Sequence, residues 1–267
     1  MTNSNSLKRP VLTYFIFTVL IFLVFLGIIG ALMALKVDTQ LTDALQIIAS
    51  WSSTFAFLLL FKKLYPNVGL KHFIIKQFNQ KLKLNTIVAI IAIQVIIFFV
   101  MLYMLRSTVA SNYQGVLSMN IGAFSILFIS HLFRGPLGEE LGWRGFLQNE
   151  LEKKHSTLKS SLIVGLLWGS WHLPLWLVSG YVGIELLMYS FAFMIAIVSL
   201  SIIMGFFYKL IKNLLIPIIM HLLFNFLLAL IFADLLPILL CASVCYLIVA
   251  VSLIVINPKK ALRPTHS

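Results

Sequence analysis

The stretch from Pro10 to Leu35 contains no charged residue and directly follows Lys8 and Arg9. A helix of roughly 20 apolar residues is long enough to cross the hydrocarbon core of a bilayer. The stretch is also longer than the apolar core of a typical cleaved signal peptide, so we predict that it is a retained membrane span. Comparable runs recur along the chain, and 61% of its 267 residues are hydrophobic whereas 10% are charged. The sequence therefore predicts an all-α, polytopic membrane protein.

Apolar runs of spanning length predict about eight transmembrane helices. The fourth and fifth are short, and the polar segment between them is expected to extend the fourth as a broken or kinked helix. No internal repeat, low-complexity tract or soluble-sized loop separates the spans, which indicates one domain in or against the bilayer. The predicted spans lie near residues 11–35, 42–61, 86–105, 118–133, 161–178, 186–208, 214–232 and 236–256.

Basic residues are distributed unevenly between the connections of these spans. An even number of spans puts both termini on one side, and 18 of the 20 lysines and arginines then fall on that side, leaving Lys36 and Arg106 opposite. The positive-inside rule therefore predicts that both termini are cytoplasmic, and the expected location is a bacterial plasma membrane. An anionic lipid leaflet is then the expected partner for the net charge of +12, and no nucleic acid partner is expected. Cys241 and Cys245 lie in an apolar run and are expected to be packing residues.

Two adjacent glutamates and an arginine stand out in the segment PLGEELGWRGFLQ, which begins at Pro136. Gly135 permits a break and Pro136 suits the first turn of a new helix, whose dipole favours charged carboxylates in or just after that turn. Glu140 and Arg144 are four residues apart and share a helix face, whereas Glu139 is rotated by about 100° and has no local cation. One carboxylate is thus predicted to be paired and the other available. An ordinary interfacial ion pair is the alternative interpretation.

Two further polar pairs lie on later predicted spans. Trp168 and His172 are four residues apart, and Pro174 follows them, where it frees backbone groups that neighbours or water must satisfy. His221 and Asn225 are likewise one turn apart, and a neutral histidine and an asparagine can donate two hydrogen bonds to one developing oxyanion. Both pairs also suit a structural role as hydrogen-bonded side chains between helices. On the predicted topology, one cavity open to the cytoplasm can collect a glutamate and both histidines.

The ordered set E-E-x-x-x-R, aromatic-x-x-x-H and H-x-x-x-N on successive late spans resembles the CPBP family. This family comprises the type II CAAX-prenyl endopeptidases and Abi-like or bacteriocin-processing relatives. The resemblance covers about Phe124 to Phe226, with one departure: the second motif usually begins with phenylalanine, where this chain has Trp168. It divides the chain into N-terminal helices without a recognised motif at 1–117, a protease core at 118–256 and a basic cytoplasmic tail at 257–267.

What the resemblance implies is intramembrane hydrolysis of peptide bonds, without deciding whether a metal takes part. Glu139, His172 and His221 are able to supply three ligands of a catalytic zinc. The sequence has no H-E-x-x-H motif, and water activated by glutamate without a tightly held metal is the favoured interpretation. The implied catalytic set consists of Glu139 as general base, His172 to hold the water, Glu140 with Arg144 to fix the helix, and His221 with Asn225 to stabilise the oxyanion.

Three classes of function stay open on the sequence alone. The favoured one is a membrane-embedded endopeptidase acting on small hydrophobic or membrane-anchored peptides, such as CAAX-like, bacteriocin or pheromone precursors. The non-catalytic alternative is a membrane scaffold or bacteriocin-immunity protein, in which the polar cluster serves only folding. A transporter is the third, because buried histidines and glutamates also build proton relays. The lack of a clear inverted repeat in the sequence counts against that third class.

Overall fold

The computed structural model describes residues 9–109 and 120–257, and the regular elements within these ranges are all helices. The all-α class predicted from the sequence is therefore confirmed. The elements in chain order are α1 (Pro10–Ala34), α2 (Thr39–Ser50), α3 (Ser52–Leu64), α4 (Leu70–Phe78), α5 (Leu84–Met104), α6 (Arg106–Val109), α7 (Ile121–Phe133), α8 (Pro136–Glu140), a π-helix (Leu141–Gln148), α9 (Asn149–Leu151), α10 (Thr157–Trp171), α11 (Leu173–Leu177), α12 (Gly183–Ile211), α13 (Leu215–Ala229) and α14 (Leu235–Ile256).

Several of these helices have the length and apolar composition of membrane spans. They are α1, α5, α12, α14 and the unit Ile121–Leu151, which is 31 residues long. α2 and α3 meet the same criterion together, although they are bent by 48° at the break between them. The described part of the chain thus holds five such helices, or six with the bent pair. The chain is a polytopic membrane protein.

Two of the predicted spans fall on shorter helices. The span predicted at 161–178 is occupied by α10, of 15 residues, followed by the short α11. The span predicted at 214–232 is occupied by α13, also of 15 residues. Because roughly 20 residues are needed to cross the hydrocarbon core, the count of eight spans stays a prediction. Residues 118 and 119 of the fourth predicted span, and the tail beyond residue 257, lie outside the described residues.

The unit Ile121–Leu151 is broken near its middle, as the sequence predicts. α7 ends at Phe133, and α8 begins with Pro136 in its first turn, just after Gly135. α8 then continues directly into the π-helix and α9. Proline is compatible with the first turn because the N–H that it lacks has no partner within the helix there.

The second half of the broken unit, from Pro136 onward, packs inside the helix bundle. α8 contacts α3 and α13, and the π-helix contacts α3 and α10. Apolar side chains on the outer faces are exposed, for example Leu20 and Val24 in α1, as expected for helices that face lipid. By contrast, the side chains of the π-helix after its first residue are all buried. The polar motifs predicted from the sequence are therefore held inside the bundle, away from lipid.

Candidate active site

Glu139 lies in the first turn of α8 and is 3% exposed. Its backbone N–H donates to the Gly135 carbonyl at 2.8 Å, and its own carbonyl accepts from Ser53 Oγ in α3 at 3.2 Å. One side-chain oxygen, Oε2, accepts a hydrogen bond from Trp168 Nε1 in α10 at 2.6 Å. Short helix α8 is thus tied to helices on both sides of it, and these contacts fix where the carboxylate points.

Glu140 faces a different set of partners. Its Oε1 atom accepts a hydrogen bond from Arg144 Nη1 at 3.0 Å, and both side chains are fully buried. The same oxygen lies 2.7 Å from His221 Nδ1 in α13. The four-residue spacing predicts the first contact, while the second joins residues 81 positions apart. The two glutamates therefore differ, since Glu140 is held in an ionic cluster with the arginine and the histidine.

The helix that carries Arg144 has π geometry over eight residues. π-helical segments are rare and are frequently found at functional sites. The Arg144 guanidinium carbon lies 4.3 Å from the centroid of a Trp168 ring, a cation–π distance. The sequence predicts an ion pair on an ordinary helix, and it misses both the π geometry and the stacking on tryptophan.

His172 follows the last residue of α10, at the break that precedes Pro174. Its Nδ1 lies 2.9 Å from the Trp168 carbonyl oxygen. Because a carbonyl only accepts hydrogen bonds, Nδ1 carries the proton, and Nε2 of the neutral ring has a lone pair. His172 and Glu139 line one cavity of about 210 Å³, whose other walls include side chains of α1 and α2 and the side chain of Arg134.

His221 and Glu139 both come close to Gly135. A Cβ atom at position 135 would stand 3.2 Å from Glu139 Oε1 and 3.2 Å from both Cε1 and Nε2 of His221. Glycine therefore leaves room for the carboxylate and the imidazole to face each other. Asn225 lies one turn further along α13 and is half-buried. Five of the six predicted site residues thus come from α8, the α10–α11 break and α13.

The contact between His221 and Glu140 changes the expected chemistry of that histidine. With Glu140 as a carboxylate, Nδ1–H donates to it, and Nε2 of the neutral ring is an acceptor. The sequence-based expectation of a neutral histidine donating to an oxyanion therefore does not fit this tautomer. A donor at Nε2 requires the imidazolium form, in which both ring nitrogens carry a proton.

Trp168 is the residue that sequence reasoning underestimates. Besides its bond to Glu139, its ring is 4.9 Å from the His221 ring between centroids, at an interplanar angle of 74°. The ring lies 6.3 Å from that of His172. The only sequence signal is a tryptophan where the resembling family usually has phenylalanine, and its N–H group is the difference that matters here.

A zinc site formed by Glu139, His172 and His221 is a possibility raised by the sequence. Within residues 9–109 and 120–257, no three histidine, cysteine, aspartate or glutamate side chains are grouped as a metal site. Glu139 Oε2 is bound to Trp168 and His221 Nδ1 to Glu140. Among the described residues, the three side chains do not form such a group.

Comparison with known proteins identifies a family model and a relative that the chain resembles. Residues 120–227 match the family model of the Rce1-like type II CAAX prenyl endopeptidases. The chain is 31% identical over 142 residues to CAAX prenyl protease 2 of Methanococcus maripaludis. That match covers 50% of this chain and 52% of the relative, so the chain matches about half the length of the archaeal protein.

The matched range contains both glutamates, Arg144, both site histidines and Asn225. The motifs noted in the sequence and the geometry around Glu139 thus fall inside the family match. Over residues 120–227, the chain is therefore similar to the Rce1-like type II CAAX prenyl endopeptidases.

Proposed function

We propose that this chain is an intramembrane endopeptidase in which Glu139 activates a water molecule. The observation that carries the proposal is the division of labour between the two glutamates. Glu140 is neutralised by Arg144 and His221, whereas Glu139 lines a cavity together with His172. That cavity, of about 210 Å³, has room for several water molecules at roughly 30 Å³ each. A buried carboxylate beside a hydrated cavity is suited to act as a general base.

The reaction begins with water held between Glu139 Oε1 and His172 Nε2. Glu139 takes one proton from the water while the oxygen attacks the carbonyl carbon of the scissile peptide. The carbonyl oxygen gains a negative charge, which the Asn225 amide and protonated His221 stabilise by hydrogen bonds. As the intermediate collapses, the C–N bond breaks and Glu139 passes its proton to the leaving nitrogen. The products are a free carboxyl group and a free amine.

The proposed substrates are small hydrophobic or membrane-anchored peptides, because the carboxylate lies inside a bundle that is apolar on its outer faces. CAAX-like, bacteriocin or pheromone precursors belong to this class. We place the protein in a bacterial plasma membrane with both termini in the cytoplasm, on the distribution of its basic residues.

Substitution of the base tests this proposal directly. We expect Glu139→Gln to lower cleavage of a fluorogenic prenylated CAAX peptide in proteoliposomes by about 100- to 10,000-fold, the usual contribution of a general base. The amide oxygen can still accept from Trp168 Nε1, so the melting temperature is expected to stay close to that of the wild type. Glu150→Gln, which changes a glutamate outside the site, is the matched control and is expected to keep its activity.

The outcome also separates an enzyme from a scaffold. Cleavage by Glu139→Gln at the wild-type rate contradicts the role of Glu139 as base. Membranes that carry the wild type are also compared with membranes that carry Glu139→Gln. If their peptide contents are identical and neither protein cleaves the defined peptide, the protein is a non-catalytic component of the membrane. Prenylated peptides are one proposed substrate class among several. The comparison of membrane peptides is therefore included to detect cleavage of the other classes.

A further inference from the structure

We propose that Trp168 is a positioning residue for Glu139: its indole N–H holds one carboxylate oxygen so that the other faces the reacting water. This inference rests on the proposed function. Trp168 is 1% exposed and Glu139 3% exposed, and their bond of 2.6 Å lies at the short end for a charge-assisted hydrogen bond. The indole N–H is only a donor, so the orientation of this bond is fixed.

The two oxygens of Glu139 consequently have separate tasks. Oε2 is occupied by the indole, while Oε1 lies close to Gly135, as does the His221 ring. A carboxylate that turned freely about its terminal torsion would exchange these positions, since that torsion is broad and roughly two-fold. The indole therefore selects one of the two orientations. The selected one directs Oε1 toward the groups that act on the substrate.

Trp168 differs in this respect from the other buried tryptophans. Trp143, Trp171 and Trp176 are also buried, yet among the described residues none of their Nε1 atoms has a hydrogen-bond partner. Burial of an indole in this bundle thus does not by itself bring an acceptor to its N–H group. The acceptor at Trp168 is the carboxylate to which the catalytic role is assigned.

The indole is itself held by the other members of the site. The Arg144 guanidinium stacks on one of its rings, and the His221 ring meets it edge to face. Arg144 and His221 are the two partners of Glu140. Trp168 therefore contacts both partners of Glu140 and also binds the carboxylate of Glu139. A phenylalanine at this position, as is usual in the family, keeps an aromatic ring but has no donor.

The test compares variants that differ in the N–H group. Trp168→Phe removes the donor, and benzothienylalanine introduced at position 168 by stop-codon suppression replaces N–H by sulfur in a ring of nearly the same shape. Trp171→Phe is the matched control, because it shortens a buried indole in the same helix α10 whose N–H has no acceptor among the described residues. kcat and KM for the prenylated peptide are measured separately, together with the melting temperature.

We expect kcat to fall by about 10- to 100-fold in both position-168 variants, the range for loss of a hydrogen bond to a charged group. KM is expected to change by less than about 3-fold, because the bond acts on the base and not on substrate binding. The fold-decrease in kcat is expected to be at least about 5 times smaller for Trp171→Phe than for Trp168→Phe. If Trp168→Phe fails to fold, the benzothienylalanine variant decides the question, since it preserves the packing.

Two results overturn the inference while leaving the proposed function intact. One is a benzothienylalanine variant with wild-type kcat, and the other is an equal loss of kcat in Trp168→Phe and Trp171→Phe. In both cases the wild type still cleaves and Glu139→Gln does not. Failure of the proposed function is distinct, because then the wild type and Glu139→Gln behave alike.

Discussion

Glu140 carries a buried charge whose compensation comes from two different elements. Its Oε1 atom accepts from Arg144 in the π-helix and lies within hydrogen-bonding distance of His221 in α13. Removing one partner of a buried ion pair leaves the other charge uncompensated, which costs about 3–5 kcal/mol. A typical protein is stable by only about 5–15 kcal/mol in total. Glu140 is therefore expected to matter for folding as much as for activity.

We expect Glu140→Gln to lower the free energy of unfolding by about 3 kcal/mol or more, because the neutral amide leaves the Arg144 guanidinium without a counter-charge. Thermal denaturation of the purified protein in lipid nanodiscs measures this as a fall in melting temperature. Peptide cleavage is expected to fall as well, since His221 loses the carboxylate that sets its tautomer and orientation.

Glu150→Gln is the control for this comparison. Glu150 pairs with Lys153, whose side chain is 54% exposed, and surface pairs of this kind contribute about 0–1 kcal/mol. The melting temperature of Glu150→Gln is thus expected to stay near that of the wild type. Equal falls in melting temperature for Glu140→Gln and Glu150→Gln would show that the buried ion pair of Glu140 stabilises the protein no more than a surface pair does.

Spacing along a helix explains which contacts of the site the sequence predicts. Glu140 and Arg144 meet because residues four apart share a helix face, and the same rule separates Glu139 from that arginine. The contact of Glu140 with His221 and that of Glu139 with Trp168 join residues 81 and 29 positions apart. Such pairs are set by how helices pack, which one sequence does not encode locally.

The π-helix approaches α3 closely at Gly142. A Cβ atom there would stand 2.8 Å from the carbonyl carbon and oxygen of Ser53 in α3, and 2.4 Å from the Tyr14 hydroxyl oxygen in α1. Helical backbone cannot turn aside as a flexible side chain can, so an added methyl group must push the elements apart. Because Ser53 Oγ also donates to the Glu139 carbonyl, such a displacement reaches the site.

We expect Gly142→Ala to destabilise the protein by about 1–3 kcal/mol or more and to reduce cleavage at the same time. Gly145→Ala on the same π-helix is the control, since the nearest atom to its added Cβ is Leu141 Cδ1 at 3.2 Å, the far end of a flexible side chain. Melting temperatures and cleavage rates of the two variants provide the measurement. A larger loss at position 145 than at 142 contradicts the close approach of the π-helix to α3.

Apolar length predicts most of the elements but not their irregularities. The spans predicted at 11–35, 86–105 and 236–256 lie within one or two residues of α1, α5 and α14. The π geometry at Leu141–Gln148 gives no sequence signal, because eight residues are too few to separate its period from that of an α-helix. The bend between α2 and α3 coincides with the polar run Ser50-Trp51-Ser52-Ser53, and serine side chains compete for helix backbone groups.

At the scale of the whole molecule, the predicted topology depends on whether α2 and α3 together cross the bilayer. Lys36 precedes this pair, and the basic connection Lys62–Lys83 follows it. The 48° bend is compatible with a broken span or with a re-entrant loop. Only a crossing puts the six basic residues of that connection on the side opposite Lys36, as the positive-inside rule requires here.

We expect Gln40→Cys and Asn79→Cys to react with a membrane-impermeant maleimide from opposite sides of the membrane. Both side chains are exposed, they flank the bent pair, and neither is charged, so the substitutions leave the distribution of basic residues unchanged. The experiment uses a protein in which Cys241 and Cys245 are replaced by alanine, so that each labelled position is the only cysteine. In intact cells the reagent is expected to label position 40 and to spare position 79, and in inside-out vesicles the reverse.

Labelling of both positions from one side contradicts a crossing, and it would change where the site lies in the membrane. Trp51 at the bend donates a hydrogen bond from Nε1 to the Phe133 carbonyl at 3.0 Å, just before the break that precedes Glu139. The bend and the site therefore lie at the same depth. A broken span that crosses the bilayer bends within the hydrocarbon region, which puts Glu139 there too, as cleavage of membrane-anchored peptides requires. A re-entrant pair instead returns to the face it entered, and both substituted cysteines then react in the same preparation.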